Sequence, residues 1–368
     1  MAEYSASEAS GSSTRPNDQP VSQTTSFEVS TDLVLGCHVC GKTTDTSRCG
    51  GCKVVYYCGA KHQSLDRDAH KGLCSKIKKA RAKLEAQEVT LQTHAGDVDT
   101  PPNAFEEGGE SMGRFWGYKG TRPYMQARYS LVEALLKVNT VQAVTAALDH
   151  SMDMLRLNRM DNQNMKSIVP SLYLRLRRDQ DCYDFLKWWA TAGQSPDYKG
   201  PQFNLKDQDA LEPVIDFLKA FIPLSHVVSL TLLKARMLID IRDISIRSRA
   251  SGPQGPQRFA SSITESKLDH FTSGRPEVLC DWLRRLVMNL YIAISCANEH
   301  FWPALLNPGN NLTTKPNGYM RSTPEEMQVT LQECYNAWSE TPGAFAIIEE
   351  MSKDPEVKEM LKRISAHS

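Results

Sequence analysis

The sequence predicts a mostly α protein carrying one small, metal-stapled module near its N-terminus. Three observations lead there. Eight cysteine and histidine residues stand in strict order between Cys37 and Cys74. Apolar residues recur at spacings of three and four over much of the remaining chain, the period of an amphipathic helix. No stretch outside the module sustains the alternation of a strand. With 368 residues, 40% of them hydrophobic and a formal net charge of +0, the chain has room for one sizeable core beside the module. That balance carries no call for nucleic acid. The most apolar stretches, Phe217 to Leu233 and Leu286 to Ala297, are broken by Lys219 and His226 or are too short for the roughly 20 residues a membrane span needs.

Taken in order, residues 1–36 are rich in Ser, Thr, Glu and Gln with few apolar anchors, so a disordered tail is expected. Its start lacks the basic-then-apolar pattern of a secretory signal, which points to the cytoplasm or nucleus, where thiols stay reduced. Residues 37–74 follow the pattern C-x2-C-x8-C-x2-C-x5-C-x3-H-x7-H-x3-C, with Cys37, Cys40, Cys49, Cys52, Cys58, His62, His70 and Cys74 as the ligand set. A segment this short, interrupted by glycines, cannot bury enough core to offset its chain entropy. Structural zinc contributes on the order of 10–16 kcal/mol per site in small fingers, so two Zn2+ ions supply what the side chains lack. Cys37-x2-Cys40 and Cys49-x2-Cys52 form tight knuckles, while Cys58-x3-His62 and His70-x3-Cys74 set ligands at i and i+4 on one helix face. Four protein ligands per ion leave no open position for water, so the sites read as structural rather than hydrolytic. Spacing alone leaves sequential and interleaved pairing both open. His38, inside the first knuckle, reads as a neighbour of the site rather than a ligand. Val54 to Tyr57 reads as a strand packed on the finger or as an interaction edge.

The run CHVCGKTTDTSRCGGCKVVYYCGAKHQSLDRDAHKGLC resembles the MYND zinc finger. The resemblance implies cross-brace pairing, with Cys37, Cys40, Cys58 and His62 on one zinc and Cys49, Cys52, His70 and Cys74 on the other. It also implies protein partners, with Tyr57, Gln63 and Arg67 as candidate contact residues. Two positions depart from the family. His62 stands where the family usually has Cys, and Arg67 stands where finger domains that bind proline-rich peptides carry Trp, which weakens an aromatic-walled proline groove. The layout of finger, basic helix and helical region resembles fungal MYND-finger proteins.

Residues 75–95 are expected to form a basic helix. Continuing out of the last zinc ligand, it would expose most of the six bases that stand between Lys71 and Lys83 with no acid, read as a solvated face, with a nuclear-import or nucleic-acid patch as the alternative. Residues 96–113, rich in Gly, Pro and acids, read as a linker. Residues 114–246 read as a helical array, tetratricopeptide-like in part. Leu131, Leu135 and Val138 mark one helix, and Val141, Val144, Leu148, Met152 and Leu155 its antiparallel partner, with Asp161-Asn162 as the next turn. Asp179, Asp181 and Asp184 with Arg175, Arg177 and Arg178 read as solvated ion pairs rather than a catalytic carboxylate pair. Phe185, Trp188 and Trp189 read as core, with one indole facing elsewhere. Residues 247–275, rich in Gly, Pro and Gln, read as a flexible loop, and residues 276–368 as a C-terminal helical region. There Thr323-Pro324-Glu325-Glu326 and Asp354-Pro355 supply helix starts. Cys182, Cys280, Cys296 and Cys334 read as reduced core cysteines.

Catalytic motifs are reduced to two formal matches. Gly36 to Thr43 fits a phosphate loop but contains two zinc ligands, and Gly109 to Gly113 fits a nucleophile elbow without a preceding strand. The chain therefore reads as a protein-interaction adaptor rather than an enzyme, with a relative of SET-type lysine methyltransferases and a nucleic-acid-binding regulator as the competing classes. The finger is expected to unfold separately from the helical region.

Overall fold

The computed structural model describes residues 33–194, 200, 202–219, 221–249 and 258–366. Among them, strand is confined to the module: β1 (Ser47–Arg48) pairs antiparallel with β2 (Tyr56–Tyr57) in the register Ser47 to Tyr57 and Arg48 to Tyr56. Helix α1 (Ala60–Gln92) begins inside the module and runs on for 33 residues, about 50 Å at 1.5 Å per residue. The basic segment that starts at residue 75 continues, as expected, out of the last zinc ligand, on the helix that bears His62, His70 and Cys74. Ile77, Leu84 and Leu91, seven residues apart, are its buried positions and form a single seam against α2 (Arg122–Leu135).

The α2 helix and α3 (Val141–Leu157) form the expected hairpin, with Thr140 capping α3 by accepting from the Ala143 N–H at 3.1 Å. Helices α4 (Met165–Arg175) and α5 (Asp179–Ala190) stack next. The central element is α6 (Leu224–Arg249), buried almost all round, which packs against α4, α5, α7 (Ser262–Ser266) and α9 (Pro276–Ala297). Short α8 (Leu268–Ser273) and α10 (Phe301–Leu306) lead toward α11 (Pro324–Ser339), α12 (Ala344–Lys353) and α13 (Pro355–Ser365). A repeat array touches only its neighbours. Here α4 packs on α11 and α6 on α9 and α12, so the arrangement gives no support to tetratricopeptide character beyond sequential stacking from α2 to α5. No helix of the described residues is long and apolar enough to cross a membrane.

Several sequence expectations change here. The tail reading falls largely on residues outside the described ones, but Val34 is placed: its N–H donates to Asn139 O at 3.2 Å and its carbonyl accepts from Val141 N at 3.0 Å. The 96–113 segment is folded rather than a loose linker. Asp97 accepts from the Asp99 and Thr100 N–H groups, and Phe105 packs on Phe115 and Tyr124 with ring centroids 5.4 and 5.1 Å away. Within 247–275 the described part is anchored, because Asp240 accepts from the N–H groups of Ala260 and Ser261 at 2.7 and 2.8 Å and two short helices follow; residues 250–257 lie outside the described residues.

The charged cluster also differs. Asp179 is 0% exposed and pairs with buried Arg236 at 2.9 Å, and Arg175 is buried against Glu340 at 2.7 Å. Only Arg177 with Glu265 and Arg178 with Asp181 form the solvated pairs expected. Cys182 and Cys334 are core residues, whereas Cys296 is exposed. Thr323 caps α11 as expected, but Glu326 reaches back to the N–H of Ser322 rather than that of Thr323.

Candidate metal centre

The two knuckles are built alike. In each, the residue after the second cysteine turns left-handed: Gly41 at φ 71 and Lys53 at φ 64. The Gly41 N–H returns to Cys37 O at 2.8 Å and the Lys53 N–H to Cys49 O at 3.0 Å, closing the turns. Strand β2 then lies across them, since the His38 N–H donates to Tyr56 O and the Cys49 N–H to Val55 O. Cys58 follows β2 directly, and α1 supplies His62, His70 and Cys74 on one side, spaced so that successive turns bring them past the knuckles.

The donors gather into two groups, Cys37, Cys40, Cys58 and His62 in one and Cys49, Cys52, His70 and Cys74 in the other, the ligand atoms of each within 4.8 Å of one another. The pairing that spacing left open is therefore interleaved. A tetrahedral zinc with Zn–S of about 2.3 Å and Zn–N of about 2.0–2.1 Å requires edges of about 3.8 Å between sulfurs and about 3.6 Å between sulfur and nitrogen. In the first group Cys40 and Cys58 Sγ are 3.7 Å apart and Cys37 Sγ lies 3.5 Å from His62 Nδ1. In the second, Cys49 and Cys74 Sγ are 3.6 Å apart and His70 Nε2 lies 3.4 Å from Cys49 Sγ and 3.6 Å from Cys52 Sγ. Cys58 Sγ to His62 Nδ1, at 3.0 Å, is the one tight edge. These separations far exceed a disulfide, and both donor sets fit zinc.

Electrostatics adds a reason for a dication. Burial opposes ionisation at Cys37 and Cys49, yet surrounding backbone N–H groups and the histidine beside each outweigh it and hold both thiols at about 6. Burial pushes Cys52 up to about 12, with repulsion from Cys49 and Cys74 adding to it. The protein alone thus favours one thiolate in the second site but resists the next, and bound zinc would supply the charge that lets all three ionise.

One residue the sequence reading passed over orders this face. Asp66 accepts from Tyr57 Oη at 2.6 Å and sits 3.0 Å from His38 Nδ1, tying the first knuckle and β2 to α1. Its signal was present: it stands four residues after His62 and four before His70. His38 is accordingly a neighbour, not a ligand. Arg81 reaches back to Cys52 O at 3.1 Å, clamping the second knuckle from about two turns beyond the last ligand. Of the candidate partner residues, Gln63 and Arg67 are exposed one turn apart on α1. Tyr57 is not available: at 3% exposure its hydroxyl is spent on Asp66. Val54 and Val55 are buried as well, and the Val54 carbonyl accepts from Thr140 Oγ1 at 2.7 Å, so this run packs the finger onto the α2–α3 turn rather than offering an edge. Ser111 of the formal nucleophile pattern is buried and donates to Ala104 O at 2.6 Å.

Comparison with known proteins agrees with this geometry. A family model described as MYND finger matches residues 37–74. The chain is 42% identical over 52 residues to the Rho GTPase-activating protein gacZ of Dictyostelium discoideum, which covers 14% of this chain and 5% of that one. It is 33% identical over 75 residues to the Tudor domain-containing protein 1 of Mus musculus, covering 19% of this chain and 6% of that one. The chain thus matches about a twentieth of the length of these curated relatives. No solved structure matches it. With the donor groups, their spacing and the family match in agreement, residues 37–74 are a MYND zinc finger built to hold two ions.

Proposed function

We propose that the protein is a zinc-dependent protein-interaction adaptor of the cytoplasm or nucleus, using the finger and the helical body to hold partners in transcriptional or regulatory assemblies. The observation that carries this reading is the closure of both metal sites: four protein donors surround each, so the ions serve shape rather than turnover. MYND fingers bind proteins, and short matches to much longer chains are what a portable module gives. Gln63 and Arg67, exposed on the finger's own helix, are the contact residues of choice. The peptide preferred there is not strongly proline-rich, because a guanidinium at Arg67 gives no indole wall for a polyproline ridge.

The test is a comparison of proteins retained by the zinc-loaded chain and by its Gln63→Ala/Arg67→Glu variant, read by quantitative mass spectrometry. Selective loss of a defined set from the variant supports the adaptor reading. An identical set from both removes the finger surface from the account. Transfer of label from S-adenosylmethionine to protein by the purified chain would replace the adaptor reading with the methyltransferase one.

A further inference from the structure

A chain with formal net charge +0 hides a strong local imbalance on α1. Lys61, Arg67, Lys71, Lys76, Lys78, Lys79 and Lys83 are all exposed on the side of the helix turned away from the Ile77–Leu84–Leu91 seam. The exposed acid among them is Asp68, which pairs with Lys71 at 3.0 Å. Among the described residues the other six have no ion-pair partner, although the rest of the molecule pairs its arginines and lysines freely. From Lys61 to Lys83 the cationic face is about 33 Å long, close to one turn of a nucleic-acid duplex.

The composition of this face selects among polyanions. Protein interfaces are depleted in lysine and centre on apolar or aromatic anchors. Helix α1 contains no Phe, Tyr or Trp, and Leu65 is the large apolar side chain on this side. A membrane-surface helix needs an apolar face to bury, and the one α1 has is already against α2. Single strands are held by aromatic stacking, which α1 does not offer. Lysines on flexible stems, spread over the outer half of one helix, suit repeated phosphates and read no base. We propose that the outer face of α1 binds the phosphate backbone of double-stranded nucleic acid without sequence preference.

Fluorescence anisotropy of the full, zinc-loaded chain with labelled DNA and RNA duplexes of two unrelated sequences tests this. Six phosphate contacts give a log–log salt slope of about −5, so affinity should fall about a thousandfold between 50 and 200 mM salt, equally for both sequences. The Lys76→Gln/Lys78→Gln/Lys79→Gln/Lys83→Gln variant should bind weakly and reduce the slope by about 3 to 4. A single Lys79→Glu change, with zinc content and circular dichroism like the parent, should already weaken binding several-fold. Absence of binding at 50 mM salt, or variants that bind like the parent, would overturn the proposal. So would polyglutamate or phosphatidylserine vesicles binding as tightly as the duplexes.

Discussion

Replacing Cys52 by serine removes one donor of the second site, and the structure says where the damage should stop. From Ala60 to Cys74, α1 has no fully buried apolar side chain, and Gly72 in its interior costs about 1 kcal/mol of helix propensity. An isolated helix of that length is marginal in water, so zinc holds this half. Beyond it, Ile77, Leu84 and Leu91, exposed 0%, 4% and 3%, each contribute about 1.5–3 kcal/mol against α2, roughly 5–9 kcal/mol together. Cys52→Ser should therefore unzip α1 as far as Cys74 and leave the helix from Ile77 onward intact. Hydrogen exchange read by peptide mass spectrometry should accelerate at least a hundredfold over residues 60–74, equivalent to about 2.8 kcal/mol, with 77–92 unchanged. Acceleration running through Gln92, or none before Cys74, would refute the division of labour between metal and seam.

Three further outcomes follow from the packing. A Cβ at Gly51 would lie 2.6 Å from Cys74 Sγ, so Gly51→Ala should push that donor out and lower zinc content from two ions toward one; retention of both by elemental analysis would contradict the packing. Arg236→Met strands Asp179, which is 0% exposed, so denaturant melts should show a loss of about 3–5 kcal/mol, partly restored when Asp179→Leu is added; an effect under about 1 kcal/mol would mean the pair is not desolvated. His226 has its Nε2 2.9 Å from Lys166 O, and burial holds its pKa at about 4, whereas the unfolded chain takes up the proton near 6.5. Between those values the unfolded state binds more protons, so this residue's share of stability falls as pH drops from about 6.5 to about 4, by about 3 kcal/mol in full. An NMR titration placing His226 near 6.5 would remove that dependence.

What the sequence disclosed was local, and what it concealed was distant. Zinc donors at spacings of two and three were legible because a knuckle or a helix turn is set by its own residues. The interleaved pairing was not legible in the spacing and came only from the family resemblance, since it depends on how the chain around β2 crosses the knuckles. The Ile77–Leu84–Leu91 seam was written at seven-residue intervals but lay under the lysines that made the segment look solvated. Buried charges were the least visible. Arg175 finds Glu340 across 165 positions and Arg236 finds Asp179 across 57, and no pattern near either residue announces such a partner. Tyr57 was misjudged for the same reason: its burial is settled by Asp66 from the helix and by Val54, just before β2, held against the α2–α3 turn.

The helix that begins among the metal donors and ends against α2 makes finger and body one lever. A ligand seated at the metal end is held at a fixed bearing to the helical body, as a blade is to its handle. Domain excision at residue 74 would cut through the shaft.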